Sequence, residues 1–179
     1  MAPHILRDCK FYLGGHDLSG SLNRGKLDVS VNMLDSTPFN AGSVRRTPGI
    51  SKASLDIDGY YEAGAGFIDD VLDGRIGGAE ELLSVFPQDA VPGSIGYSFA
   101  SLQAKLTRSG SYGELFVINT QAQSSGVIVR GTLMEIGSKA STANGVGRQM
   151  GAVANGKKAY AVAHVLSGSG TLGLRLQSG

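Results

Sequence analysis

Alternation of apolar and polar residues dominates the first third of the chain. From Lys26 to Leu34, the side chains of Leu27, Val29, Val31 and Met33 fall on one side and those of Asp28, Ser30 and Asn32 on the other. That period of two is expected of a half-buried strand. The pattern resumes after Ile50, where Ala53, Leu55, Ile57, Gly59 and Tyr61 oppose Ser54, Asp56, Asp58, Tyr60 and Glu62. Between them, 35–49 holds Pro38, Pro48 and few apolar residues. It is expected to be a loop of roughly 15 residues, at the upper end of ordinary loop lengths, and therefore functional or ordered by a partner.

Elsewhere the signals are shorter. Lys10 to Leu13 reads as a brief strand stopped by Gly14 and Gly15. Ala79 to Phe86 combines good helix formers, Glu80 and Glu81 in the first turn and Pro87 as a stop, which predicts a helix with Leu82, Leu83 and Phe86 as its apolar stripe. A turn of helix also fits Phe67 to Leu72. Ile95, Tyr97 and Phe99 share one parity and Leu102, Ala104 and Leu106 the other, so a bulge or bend is expected between Phe99 and Leu102. The runs 115–118 and 126–136 read as central strands, and 159–166 and 172–177 as a closing pair. A loop rich in Gly, Ser, Ala and Asn precedes that pair, between Ile136 and Lys157. The sum is one all-β domain over 1–179, an antiparallel β-sandwich or barrel with one short flanking α-helix at about 79–86 and long loops.

Composition narrows the class. There are 27 glycines in 179 residues, about twice the average usage of about 7%. They are scattered as turns and bulges would require. Charged residues are 17% and Trp is absent. So few charges suit a chain that buries its exterior against copies of itself, and equally a plain Gly- and Ser-rich β protein. The formal net charge of +1 divides unevenly: 13 acidic and 8 basic residues up to Asp89, 2 acidic and 8 basic beyond it. Such a split can mark two surfaces of opposite sign that meet between neighbours, a basic surface for nucleic acid, or charges that mix in the folded chain. Cys9 is the single cysteine, the N-terminus lacks the apolar core of a secretory signal, and no apolar run reaches the ~20 residues of a membrane span. Synthesis and folding in a cytoplasm, without a membrane partner, are expected.

No catalytic residue, cofactor or metal is expected. His4, Cys9, His16 and Asp17 match no zinc spacing. Asp56, Asp58 and Glu62 share a strand face, where outward acids are ordinary. His164 alternates with Tyr160, Val162 and Leu166 as a satisfied core or interface histidine would. No serine sits in a nucleophile elbow, and 144–151 lacks the glycine spacing and Lys-Ser/Thr pair of a phosphate loop. The basic residues of the second half are dispersed and without stacked aromatics, so a nucleic-acid reader is not indicated.

Leu27-Asp28-Val29-Ser30, Asp35-Ser36-Thr37-Pro38-Phe39, Arg45-Arg46-Thr47-Pro48-Gly49 and Ser54 to Glu62 together resemble the tail tube (major tail) proteins of tailed bacteriophages, most strongly over 20–62. The resemblance implies a virion protein that assembles into stacked rings, commonly hexameric, with inner strands of all subunits in one barrel. It implies a virion-tail location, terminator, tip or tape-measure proteins as partners, and DNA passing through the lumen without specific contacts. It also implies that the loop 35–49 reaches neighbouring subunits. Phe39 and Val44 would be its exposed anchors. Arg45, Arg46 and Lys52 would pair with Asp69, Asp70, Asp73, Glu80 and Glu81 of an adjacent subunit, where only Arg75 offsets the acids locally. A head decoration or head–tail joining protein is the alternative. A carbohydrate-binding sandwich is a further one, poorly served by six scattered tyrosines.

Overall fold

The computed structural model describes residues 8–137 and 153–167. Eight strands and one helix follow in chain order: β1 (Lys10–Leu13), β2 (His16–Asp17), β3 (Leu22–Asp35), β4 (Arg46–Tyr60), α1 (Ile68–Asp73), β5 (Glu81–Phe86), β6 (Ile95–Ser109), β7 (Val117–Ser124) and β8 (Val129–Thr132). All strands pair antiparallel in one sheet of order β2-β1-β5-β6-β7-β4-β3, with β8 on β6.

The sheet folds over on itself. β6 is long enough to belong to both halves: Tyr97 to Ser101 pair with β5, and Ser101 to Ser109 pair with β7. One half is thus β2-β1-β5 with the start of β6, the other the end of β6 with β7-β4-β3. Their inner faces share one core, in which Phe11, Leu13, Leu83, Val85 and Phe99 meet Ala53, Leu55, Ile57, Ile118 and Ala122. Helix α1 contributes Ile68, Val71 and Leu72, spaced to share one helix face. Gly25 of β3 lies where a Cβ would stand 2.6 Å from Phe11 Cζ of β1, so the absent side chain is what lets the two ends of the sheet close.

Several expectations change. Glu81–Phe86 is a strand, not the predicted helix over 79–86. It is flanked on both sides by β1 and β5's other neighbour β6, and it buries both faces, Leu83 and Val85 inward and Ser84 and Phe86 outward. A strand covered on both faces shows no alternation, and pairing on two edges overrides its helix propensity. The short helix among the described residues is instead Ile68–Asp73, overlapping the turn that also fitted Phe67 to Leu72. The irregularity in β6 falls between Gln103 and Lys105, after rather than before Leu102; Phe99, Ser101 and Gln103 all point inward, and Leu106 turns in only beyond the bulge. β7 begins at Val117 and runs past Ile118 to Ser124, while only Val129–Thr132 of 126–136 is strand. Residues 159–166 are in no strand. The expected strand 172–177, His4, the loop 144–151 and most of the loop between Ile136 and Lys157 lie outside the described residues.

Candidate assembly interface

β3 and β4 pair from Leu22↔Gly59 to Asp35↔Arg46, whereas β7 accompanies β4 only from Tyr60 to Ser54. Beyond Ala53, whose N–H donates to Ser124 Oγ at 2.8 Å, the hairpin continues with no further strand beside it among the described residues. The eight residues Arg46–Ala53 make it an arm of about 26 Å at ~3.3 Å per residue. The connection 35–49 is therefore shorter than its composition implies: Asp35 at one end and 46–49 at the other are strand, which leaves 36–45 as the connection, and the ladder beside it is interrupted by a bulge between Val31 and Met33. Pro48 fits because one edge of β4 is open there.

The arm keeps the alternation of a buried hairpin without being buried. Leu27, Val29 and Val31 stand opposite Leu55, Ala53 and Ser51, on the face that forms the core nearer the body. Leu55 is 1% exposed, but Val29 is 55%, Val31 42% and Met33 58% exposed. The core face thus runs off the end of the core into solvent. A shallow groove lined by Ser30, Val31, Asn32, Ile50 and Lys52 lies along the arm.

Polar contacts within the chain shape the tip. Thr37 N–H donates to Asp35 Oδ1 at 2.9 Å, Ser36 N–H to Arg45 O at 2.9 Å, and Arg45 N–H to Thr37 Oγ1 at 2.8 Å. The Thr37 hydrogen bonds lower the Asp35 pKa below its ordinary value. Phe39 projects fully into solvent and Val44 is exposed, and Arg45, Arg46 and Lys52 form no ion pair among the described residues.

The acids expected opposite them are partly engaged. Arg108 of β6 reaches Asp69 through Nε and Asp73 through Nη2, both at 2.5 Å. The two carboxylates hold its pKa above the ordinary value. Arg75 Nε is 2.5 Å from Glu81, and its Nη1 donates to Val71 O at 2.6 Å. Asp70 accepts only the Gly66 N–H, at 2.9 Å, and Glu80 is exposed. Asp70 and Glu80 are therefore the members of the acidic set without a cation of their own chain among the described residues. Arg108, some 35 residues away from Asp73, carries no local signal in the sequence.

A second surface is the outward face of β6-β7-β4-β3. Its cross-strand rows place Lys105, Gln121, Asp56 and Lys26 side by side, then Thr107, Asn119, Asp58 and Arg24. Gln121 Nε2 donates to Asp56 at 2.8 Å, and Asp58 accepts from Asn119 and from Arg24. Lys26 is 2.5 Å from Asp28, which raises the Lys26 pKa. Asp56 and Asp58 are thus bound into amide and cationic rows, and Glu62 accepts from Ser21 Oγ at 2.7 Å. No group of three or more His, Cys, Asp or Glu among the described residues is arranged to hold a metal ion.

His164 lies on the outer face of β1 and β5. Its Nδ1 donates to Gly14 O at 2.8 Å, its Nε2 is 2.7 Å from Ser84 Oγ, and its ring lies 5.7 Å from that of Tyr12. A serine and histidine at this distance resemble a nucleophile and base. Ser84, however, is 1% exposed and also hydrogen-bonded to Ser98, so no substrate reaches its oxygen. The contact ties one segment of chain to another, as expected of a satisfied histidine.

No protein-family model and no curated protein sequence matches the chain. Solved structures do. The SPP1 tail tube matches with a TM-score of 0.60 at 13% identity, over 73% of this chain and 80% of that one. A chain of the sheath/tube terminator of an extracellular contractile injection system matches with 0.59 at 11% identity, over 73% and 98%. The tail of an empty gene transfer agent particle, resolved with C6 symmetry, matches with 0.54 at 15% identity, over 69% and 93%. The fold is that of tail-tube proteins. The share of those chains that is covered, 80–98%, takes in nearly the whole of each, so the tail-tube type of all-β fold expected from the first third holds for the described body as well.

Proposed function

We propose that this chain is a structural subunit of a phage-type tail tube, assembling with copies of itself into stacked rings in the virion tail. The observation that carries this reading is the arm: a hairpin whose apolar face and both strand edges lie open among the described residues, on a tail-tube fold. An open edge and an exposed apolar face are an aggregation hazard for a solitary protein. They are tolerable when a neighbour covers them, and a head-to-tail contact that closes gives a ring while one that does not gives a filament. Six subunits per ring is the number that the C6 tail of the gene transfer agent supports by analogy.

In the assembly, Phe39 and Val44 at the arm tip are apolar anchors on an adjacent subunit, and Arg45, Arg46 and Lys52 supply its charge. Asp70 and Glu80 are the acids most available to receive them; Asp69, Asp73 and Glu81 contribute only where their own arginines yield. Terminator, tip or tape-measure proteins would meet the two ends of the tube. The polar face of β6-β7-β4-β3 suits a channel wall for passing DNA: Arg24 and Lys26 are paired with its own acids, which leaves Lys105 and Lys52 as cations that a phosphate could meet. The subunit has no catalytic role in this reading.

Electron microscopy of the purified chain, alone and with an initiator complex, tests it. Hollow tubes or rings are expected, and removal of 36–45 should leave a folded monomer that forms neither. A chain that decorates heads, or joins heads to tails without forming tubes, would support the alternative viral roles. Monomers under every condition would refute the proposal.

A further inference from the structure

Residues 158–163 have the sequence of a strand but no sheet. Lys158-Ala159-Tyr160-Ala161-Val162-Ala163 combines a single charge with β-favouring Tyr and Val. Yet none of its backbone groups forms a hydrogen bond among the described residues, and Tyr160 is 52% and Val162 40% exposed. The next residue, His164, is where the segment is tied to its own chain, through Gly14 and Ser84.

An unused edge of matching character exists elsewhere. β3 ends the order of the sheet, and its outer edge has no strand beside it among the described residues. Sheet edges are usually blunted by charge, proline or bulges. The open edge of β4 has such protection in Arg46, Pro48 and Lys52. From Val29 to Leu34 β3 has no charge and no proline, its one irregularity being the bulge between Val31 and Met33, and Val29, Val31 and Met33 stand exposed on one face.

We infer that Ala159–Ala163 adds as a strand to the outer edge of β3 in a second copy of this chain. The inference rests on the tube reading, which supplies the second copy. Addition satisfies the unpaired backbone of both partners and sets Tyr160 and Val162 against the apolar face of the arm. His164 stays seated and fixes where the strand departs, a positioning role outside the contact itself.

Hydrogen exchange on the unmodified full-length chain tests this, beside disulfide trapping. In the monomer the amides of Ala159 to Ala163 exchange freely; in assembled tubes they slow by about tenfold or more. For trapping, Val31→Cys and Val162→Cys are placed in separate chains, each with Cys9→Ser, then mixed, assembled and oxidised. A covalent dimer is expected from the mixture and from neither variant alone, and His164→Ala should reduce its yield without unfolding the chain. Tubes visible by microscopy with no dimer and with 159–163 still exchanging freely would overturn the inference and leave the tube reading intact. A double variant that cross-links within the monomer would also overturn it. Failure of the unmodified chain to assemble, with and without an initiator complex, would defeat the tube reading and this inference together.

Discussion

The two halves of the β3–β4 hairpin have the same sequence pattern and opposite fates. Near the body, Ala53, Leu55 and Ile57 alternate with polar residues and are buried; along the arm, Val29, Val31 and Met33 alternate just as regularly and are exposed. Alternation therefore states that a face is meant to be covered, without stating by what. In the first half the cover is β1 and α1 of the same chain; in the second, no described residue of this chain supplies it. The difference separates apolar residues that stabilise the subunit from apolar residues held for contact between subunits.

The sharpest way to break this distinction is to mutate both halves alike. Leu55→Ala should cost about 2–5 kcal/mol of subunit stability, because a fully buried side chain leaves a cavity. Val31→Ala and Met33→Ala should stay within about 0.5 kcal/mol, as substitutions at exposed sites do. Denaturant unfolding of the monomer measures both, and sedimentation or light scattering should find assembly weakened by the arm variants. Equal losses of stability in the two halves would mean that the arm is buried in the monomer after all.

A smaller effect is expected from charge. Reversing Arg45 and Arg46 to Glu should leave the monomer folded and slow assembly, since exposed pairs contribute about 0–1 kcal/mol each and act mainly on encounter and register. Reversal of Asp70 and Glu80 to Lys in the same background should partly restore the rate, measured by turbidity at low salt. The same reversal at Asp69 and Asp73 should not, because it also leaves Arg108 without its partners. Rescue by Asp69 and Asp73 alone would reassign the contact.

The smallest effect concerns the tip. Thr37 holds Asp35 ionised below its ordinary value of 3.8, so the stabilisation is present above that value and is lost as pH falls through the lowered native one. Amide exchange at Thr37, followed by NMR, should quicken only in that acid range. The core amides of β4 should remain protected there. Asp35→Asn should remove most of the acid dependence at the tip.

How much of this was legible in the sequence follows from the range of each interaction. The hairpin was legible because its two strands are near neighbours whose periodicity is local, and Pro38 and Pro48 marked where regularity weakens. β5 was not: Glu80-Glu81-Leu82-Leu83 has helix-forming residues, and its strand state depends on β1 and β6 lying on either side. The exposure of Val31 was illegible for a related reason. Its pattern matches that of Leu55, and only the end of β7 at Ser124 decides where cover stops. Among the site residues, the exposed tip Phe39, Val44, Arg45 and Arg46 followed from composition. The engagement of Asp69 and Asp73 with Arg108 required the three-dimensional path of β6.

The hairpin also has a consequence in time. β3 and β4 are joined by the short connection 36–45, and such a hairpin closes in about 1–10 μs. The ladder between β4 and β7 must wait for a much longer stretch of chain to be made and brought back, with the greater loss of entropy that distant contacts require. On a growing polypeptide the adhesive arm is therefore formed before the body that is to carry it. During that interval Arg46, Pro48 and Lys52 stand along the β4 edge that β7 will meet only in part, where charge and a missing N–H discourage premature pairing between nascent chains.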